Sequence, residues 1–272
     1  MNQIRGMEEF AREDGNEALW HQVFQEGHPV LMGKQRRFSL MPGRTRCKMC
    51  YAPLTGLGGF ITRRMGLEPS ARNPFFCNAC DGFLQAFPGG AEVDLSIIFC
   101  DLRGSVSLSA SMTPKEFAQL ITFMRETIIP VLWRAEGFVL QFQGDAVIGV
   151  WPPGFSGKDY GKKAVDGAMK LPDVLGQARF QGRDIPVGMA LHTGRAYLCT
   201  VASVSNDMQE VSAFGFDVNV AARLAAAADA GEVLISEAAL LAAGRPIDET
   251  RMTEYDLKGI DTGVRASQLR AP

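Results

Sequence analysis

Apolar and polar positions along the chain fall into short runs that end at acidic residues or glycines. Leu95, Ile97, Ile98 and Phe99 form one such run; it leads into Asp101, and Gly104 follows closely. Two more, 139–143 and 146–151, are joined by Gly144-Asp145, and a two-residue link with glycine first is a hairpin signal. If these strands are neighbours in one sheet, Asp101 and Asp145 meet at the same edge. Between them lies Thr113-Pro114-Lys115-Glu116: threonine at the N-cap, proline at the first helical position and glutamate at the third form a capping box. Phe117, Leu120, Ile121, Met124 and Ile128 then share one helical face. A helix is predicted from there to about Ala135, with Pro130 as a point of kinking. Further on, the pattern predicts a helix over 158–180, a strand over 185–192, a turn at Gly194 into a strand over 196–201, a helix over 217–228 and a strand over 232–236. The order β-α-β-β-α-β, with additions, predicts an α+β fold with a ferredoxin-like sheet and helices on one face.

The first ninety residues read differently. Residues 7–26 fit an amphipathic helix with Phe10, Leu19, Trp20, Val23 and Phe24 as its apolar positions, packing on whatever follows or docking a partner. Cys47, Cys50, Cys77 and Cys80 make two C-x2-C pairs with 26 residues between them. Each pair can bend two thiolates towards one ion, and two pairs complete a tetrahedron. Four cysteines leave no open coordination position, so the site is expected to be structural. One zinc ion per chain is the first expectation, followed by iron and then by free or redox-active thiols. Pro74-Phe75-Phe76 is expected to supply some core there. From Lys34 to Arg72 there are nine lysines and arginines against one acid, Glu68. A solvated surface that also compensates the thiolate charge is the preferred reading; a nucleic-acid or anionic-lipid patch is the alternative. Pro88-Gly89-Gly90 is a loop signal within 81–94, and the domain boundary is placed there. The expected organisation is an N-terminal helical segment over 1–45, a four-cysteine module and linker over 46–90, and one larger domain over 91–272.

Composition adds bounds. The chain has 272 residues, 46% of them hydrophobic and 21% charged, with a net charge of −2. That supports a packed core and excludes global disorder and a polyelectrolyte role for the whole chain. No apolar run approaches the roughly 20 residues that span a bilayer. The first residues, M-N-Q-I-R-G-M-E-E-F, lack the apolar centre of a signal peptide, so a cytoplasmic location with reduced thiols is expected.

Two carboxylates at the ends of buried strands can hold hard cations such as magnesium, or can simply be turn residues with local hydrogen bonds. Five blocks go further: F-C-D-L-R-G-S-V-S-L-S, Q-F-Q-G-D-A-V-I-G-V, P-V-G-M-A-L-H-T-G, F-G-F-D-V-N-V-A-A-R-L and G-E-V-L-I-S. In this order, over about residues 93–270, the chain resembles the catalytic domain of class III nucleotidyl cyclases. The resemblance implies a nucleoside triphosphate substrate and two Mg(2+) or Mn(2+) ions held around Asp101, Leu102 and Asp145. It implies phosphate contacts from the main chain at Arg103, Gly104 and Ser105. Asn219 would orient the ribose and Arg223 would meet the charge developing at phosphorus. Each site would be built across a homodimer. The base-selecting positions depart from the family: Gln141 stands where adenylate cyclases usually have lysine and Ser212 where they have aspartate or threonine, while guanylate cyclases carry glutamate and cysteine. An adenylate cyclase is the favoured expectation. A guanylate or dual-specificity cyclase is the first alternative, and a catalytically silent nucleotide-binding protein acting through its basic module is the second. His192 is expected to be a packed strand-end residue, and Cys100 and Cys199 buried thiols.

Overall fold

A computed structural model describes residues 16–43, 45–202 and 209–270. Phe10 and Arg44, which fall in the stretches read above, lie outside them. In chain order the helices and strands are α1 (Glu17–His21), α2 (Pro29–Ser39), α3 (Gly56–Arg64), α4 (Asn78–Ala86), β1 (Gly90–Leu102), α5 (Ser105–Ser111), α6 (Pro114–Arg134), β2 (Phe138–Gln143), β3 (Ala146–Trp151), α7 (Pro153–Ser156), α8 (Tyr160–Ala168), α9 (Leu171–Gln177), β4 (Val187–Ala202), β5 (Gln209–Phe214), α10 (Phe216–Ala227), β6 (Glu232–Ser236), α11 (Glu237–Ala242), β7 (Met252–Tyr255) and β8 (Val264–Arg270). The chain forms two compact units. The first takes the described residues up to Val93 with Pro153–Phe155 and Tyr197–Phe214; the second takes Asp94–Pro152, Ser156–Ala196 and the rest from Gly215.

The second unit is built on a sheet of order β2-β3-β1-β4-β6-β8-β7. Its first four strands, with α6 between β1 and β2 and α8 between β3 and β4, are the ferredoxin-like arrangement predicted from the pattern. β3 runs antiparallel to both β1 and β2, and β6 runs parallel to β4. Alternate residues give one face of the sheet to the helices: Ile98, Cys100 and Leu102 of β1, Val187, Met189 and Leu191 of β4, and Val233 and Ile235 of β6. Leu120, Met124, Ile128 and Leu132 of α6 and Ala164, Val165 and Ala168 of α8 belong to the same core.

α6 begins as the capping box requires. The Thr113 side chain accepts from the Glu116 N–H, and the Glu116 carboxylate accepts from the Thr113 N–H at 2.8 Å. The helix continues through Pro130 to Arg134. The expected helix over 158–180 is two helices, α8 and α9, because Pro172 enters the first turn of a new helix after Lys170. The expected turn at Gly194 is also absent: β4 runs unbroken from Val187 to Ala202. Glycine stands there because the Asp217 carboxylate occupies the space a Cβ would need.

In the first unit, Leu19, Trp20, Val23 and Phe24 are all buried, as their spacing predicts, although α1 gives way to a π turn at Gln22–Glu26. Trp20 stacks on Phe24 with ring centres 5.2 Å apart and donates from Nε1 to the Phe87 carbonyl. The loop signalled by Pro88-Gly89-Gly90 within 81–94 is short: α4 runs to Ala86 and β1 starts at Gly90. Phe76 is a core residue, but Phe75 is exposed and carries Lys48 over its ring at 4.6 Å. β5 pairs antiparallel with the outer half of β4.

Candidate functional site

The carboxylate edge follows from strand register. Asp101 is the last residue of β1 paired to β3, opposite Ala146, and Ala146 directly follows Asp145. Gly144 makes the link between β2 and β3 possible by taking φ +59°, a left-handed conformation. The two aspartates therefore sit at one edge, where the Asp145 charge acts on Asp101. Burial pushes the Asp101 carboxyl above its ordinary range, the Arg103 guanidinium pulls it back, and Asp145 raises it again. Arg103 forms an ion pair with Asp101, and its Nη1 donates to the Ala226 carbonyl of α10 at 3.1 Å. That guanidinium is a stand-in positive charge at the carboxylate, so the donor set suits a hard cation: two half-buried oxygen ligands of like charge at the end of rigid strands. Leu102 is buried beside them. Gly104 takes φ +65° at the N-cap of α5, with Ser105 as the first residue of that helix.

One neighbour of this edge was not legible in the sequence. Arg125, on α6, donates from Nη2 to the Gly144 carbonyl at 2.6 Å and lies 4.4 Å above the Phe142 ring. Burial lowers its pKa and Asp145 opposes that shift. It fastens the β2–β3 link to the helix. The only sequence signal for it was an arginine on the apolar side of α6, one position after Met124.

α10 starts at Phe216, one residue before the predicted start. Val220, Ala221, Leu224 and Ala225 are buried, which turns Asn219 and Arg223, one helical turn apart, to the exposed side. Arg223 forms no ion pair with a described residue. The helix is fastened at its start. Asp217 accepts from the Arg195 N–H at 2.8 Å and contacts His192 Nε2 at 3.0 Å, while His192 Nδ1 lies 2.9 Å from the Ser236 hydroxyl. His192 is 7% exposed, as a packed strand residue should be, and it also ties β4 to α10 and β6. Gln141 is half-buried on β2, next to a register shift opposite β3. Ser212 is half-buried on β5, opposite Cys199. Gln141 belongs to the second unit and Ser212 to the first. Cys100 is fully buried, and burial pushes its thiol up; Cys199, expected to be buried too, is partly exposed.

In the first unit the two cysteine pairs converge. The ligand atoms of Cys47, Cys50, Cys77 and Cys80 all lie within 4.8 Å of one another, and all four residues are buried. The first pair is a knuckle: the Cys47 N–H donates to Ala52, the Tyr51 N–H donates back to Cys47, and Tyr51 takes φ +63° to close the turn. The second opens α4, with Cys77 as N-cap and Cys80 in the first turn. A hydrogen bond from the Lys48 N–H to the Phe75 carbonyl, at 2.9 Å, joins the pairs. The Cys50 and Cys77 sulfurs are 3.7 Å apart, far too long for a disulfide. That separation is close to the ~3.8 Å that four sulfurs at about 2.3 Å from one tetrahedral centre require. The Cys77 thiol is held well below the ordinary range by hydrogen bonds from Cys47, Cys50 and Cys80, whereas Cys50 and Cys80 are pushed up. Four buried sulfurs this close together suit a cation that would ionise them.

Comparison with known proteins agrees with the second unit. The profile of the family described as "Adenylate and Guanylate cyclase catalytic domain" matches residues 91–268. An uncharacterized protein of Mycobacterium tuberculosis is 31% identical over 144 residues, which are 53% of this chain and 33% of that protein. An adenylate cyclase of Anabaena cylindrica is 27% identical over 143 residues, 48% of this chain and 26% of that one. The chain thus spans about a third or less of the length of these curated relatives. Among solved structures, a guanylyl cyclase has TM-score 0.61 at 22% identity, covering 66% of this chain and 93% of its own. The adenylyl cyclase CyaB from P. aeruginosa has TM-score 0.55 at 20% identity, covering 67% and 97%. At such identities these structures attest the fold, and the match over residues 91–268 attests the family: the chain belongs to the adenylate and guanylate cyclase catalytic-domain family.

Proposed function

We propose that the chain is an adenylate cyclase, converting ATP to 3′,5′-cyclic AMP and pyrophosphate at sites built across a homodimer, in intracellular signalling. The observation that carries this reading is the register that sets Asp101 opposite Ala146 and so brings Asp101 and Asp145 to one edge. Two divalent ions, Mg(2+) or Mn(2+), would supply there a lowered pKa for the ribose 3′-hydroxyl and neutralisation of the departing pyrophosphate. Asp101 and Asp145 are the residues that would hold them, once Arg103 yields its contact with Asp101. The main chain at Gly104 and Ser105 would face the phosphates; the Arg103 N–H, expected there too, instead donates to the Pro186 carbonyl at 2.6 Å. Asn219 orients the ribose, and Arg223 meets charge developing at the phosphorus, a task suited to a planar and permanently charged group. Both extend from α10 into solvent, as groups completing a partner's site must. Most of the acceleration is positioning and charge stabilisation.

Gln141 and Ser212 each donate and accept hydrogen bonds, so both can serve adenine. No acid stands at either place for the guanine N1–H, which favours ATP. The same ambivalence supports a second reading, a dual-specificity cyclase, because a site that leaves no polar group unpaired with the wrong base discriminates weakly. Purified protein given ATP or GTP with Mg(2+) or Mn(2+) tests the proposal. Cyclic AMP formed faster than cyclic GMP is expected. Faster cyclic GMP would overturn the base assignment, and no product from either nucleotide would leave the silent nucleotide-binding reading.

For the first unit we propose one structural zinc ion held by Cys47, Cys50, Cys77 and Cys80. The 3.7 Å sulfur separation and the closed four-sulfur set support it. Elemental analysis of freshly purified, reduced protein should find about one zinc per chain. Iron, or no metal, would refute the assignment.

A further inference from the structure

α3, between the two cysteine pairs, is amphipathic the wrong way round. Its small residues face the protein. A Cβ on Gly58 would collide with the Pro42 carbonyl oxygen, and one on Gly59 with the Leu54 backbone at 2.7 Å. Thr62 Oγ1 donates to the Pro53 carbonyl at 2.6 Å and is buried. Its large apolar residues face water: Leu57 is 79% exposed, Phe60 56%, Ile61 47%, and Met65, just past the helix, 60%. These four follow the i, i+3, i+4, i+8 spacing of one helical stripe. The helix cannot rotate to bury them, because only glycine fits against Pro42 and Leu54. Leu40, two residues before Pro42, is 85% exposed as well.

Positive charge accompanies the stripe on α3 and on the preceding helix. Arg63 and Arg64 end α3, and Arg36 and Arg37 lie in the last turn of α2; all four are exposed. The Arg64 guanidinium lies 4.6 Å over the Phe60 ring, so a cation and an aromatic ring are presented together. Arginines at a helix C-terminus would be accounted for by the helix dipole alone. The outward Leu-Phe-Ile-Met stripe would not.

We propose that this face docks on an anionic phospholipid surface, with Leu57, Phe60, Ile61 and Met65 entering the acyl boundary and the arginines meeting the headgroups. A second copy of the chain is the poorer occupant: a two-fold interface of this patch with itself would gather eight arginines with no acid on α2 or α3 to pair them. A nucleic acid would use the charge but leave the apolar stripe in water. A fluid bilayer complements the charge and needs no matching groove for protruding side chains. Nothing in this face depends on the cyclase reading.

The test is flotation of the full-length, metal-loaded protein with phosphatidylglycerol–phosphatidylcholine vesicles and with pure phosphatidylcholine vesicles. Three proteins are compared: the parent, Phe60→Ser/Ile61→Ser and Arg63→Glu/Arg64→Glu, the second pair lying wholly on the surface. The parent should float with the anionic vesicles only. Each double variant should reduce binding by about tenfold or more while keeping its metal content. A parent that floats with neither vesicle overturns the proposal. So does binding unaffected by Phe60→Ser/Ile61→Ser. Sedimentation velocity and a duplex-DNA binding assay run alongside: self-association abolished by Phe60→Ser/Ile61→Ser, or DNA binding lost in Arg63→Glu/Arg64→Glu, without flotation in either case, assigns the face to a second copy or to nucleic acid instead.

Discussion

Asp101 is held by its backbone pairing to β3 and Asp145 by the short link between β2 and β3, so a side-chain change at either should leave the sheet intact. Asp101→Asn and Asp145→Asn are each expected to lower cyclic-nucleotide formation by about a hundredfold or more with an unchanged melting temperature. A loss of activity matched by a loss of folded protein would instead make them structural. At the proposed base-contacting positions, Gln141→Lys with Ser212→Asp should sharpen the preference for ATP, read as the ratio of kcat/KM for ATP and GTP; an unchanged ratio would mean that these side chains do not face the base. The carboxylates were legible because each ends an apolar run, and their meeting followed once the strands were taken as neighbours. Arg125 was not legible. Its role depends on a 2.6 Å contact with a carbonyl 19 residues away, and its place beside Met124 on α6 does not reveal that partner. The chain of contacts from Asp217 through His192 to Ser236 was hidden for the same reason: its members are 25 and 44 residues apart.

Elements were read well where the signal was local. The Thr113–Glu116 box, the Gly144 link and the α10 face depend on spacings of a few residues, and the structure has all three. They were misread where a distant group sets a residue's identity. Gly194 is glycine because Asp217 approaches β4, so the turn it suggested does not exist. Gly58 and Gly59, in a stretch for which the sequence pattern predicts no element, lie inside α3 against Pro42 and Leu54. Gly58→Ala should therefore destabilise the cysteine module by about 1–3 kcal/mol, even though alanine is the better helix former. Thermal unfolding of the full chain checks it, and a stabilised Gly58→Ala protein would contradict the packing described for α3. The cysteine pairs are coupled to the same module. Cys47→Ser should release the metal and open residues 46–86 to limited proteolysis, because metal binding and folding are linked in so small a unit. Retained metal with unchanged proteolysis would dismiss a four-sulfur site.

At the scale of the whole molecule, the ferredoxin-like core was readable from strand and helix order. The recruitment of 197–214 to the same unit as the cysteine module was not, because it depends on β4 running on past Gly194 to pair with β5. Asn219 follows Asp145 by more than 70 residues and is exposed on α10, as is Arg223. In the proposed dimer these two groups serve a second subunit's carboxylates. Asp101→Ala and Arg223→Ala should each be nearly inactive alone. Mixed in equal amounts and allowed to exchange subunits, about half of the dimers are mixed, and each mixed dimer has one intact site, so about a quarter of parent activity should return. That mixing experiment is the most direct measurement of the central claim. Recovery near a quarter is the predicted result, and no recovery despite demonstrated subunit exchange would contradict it.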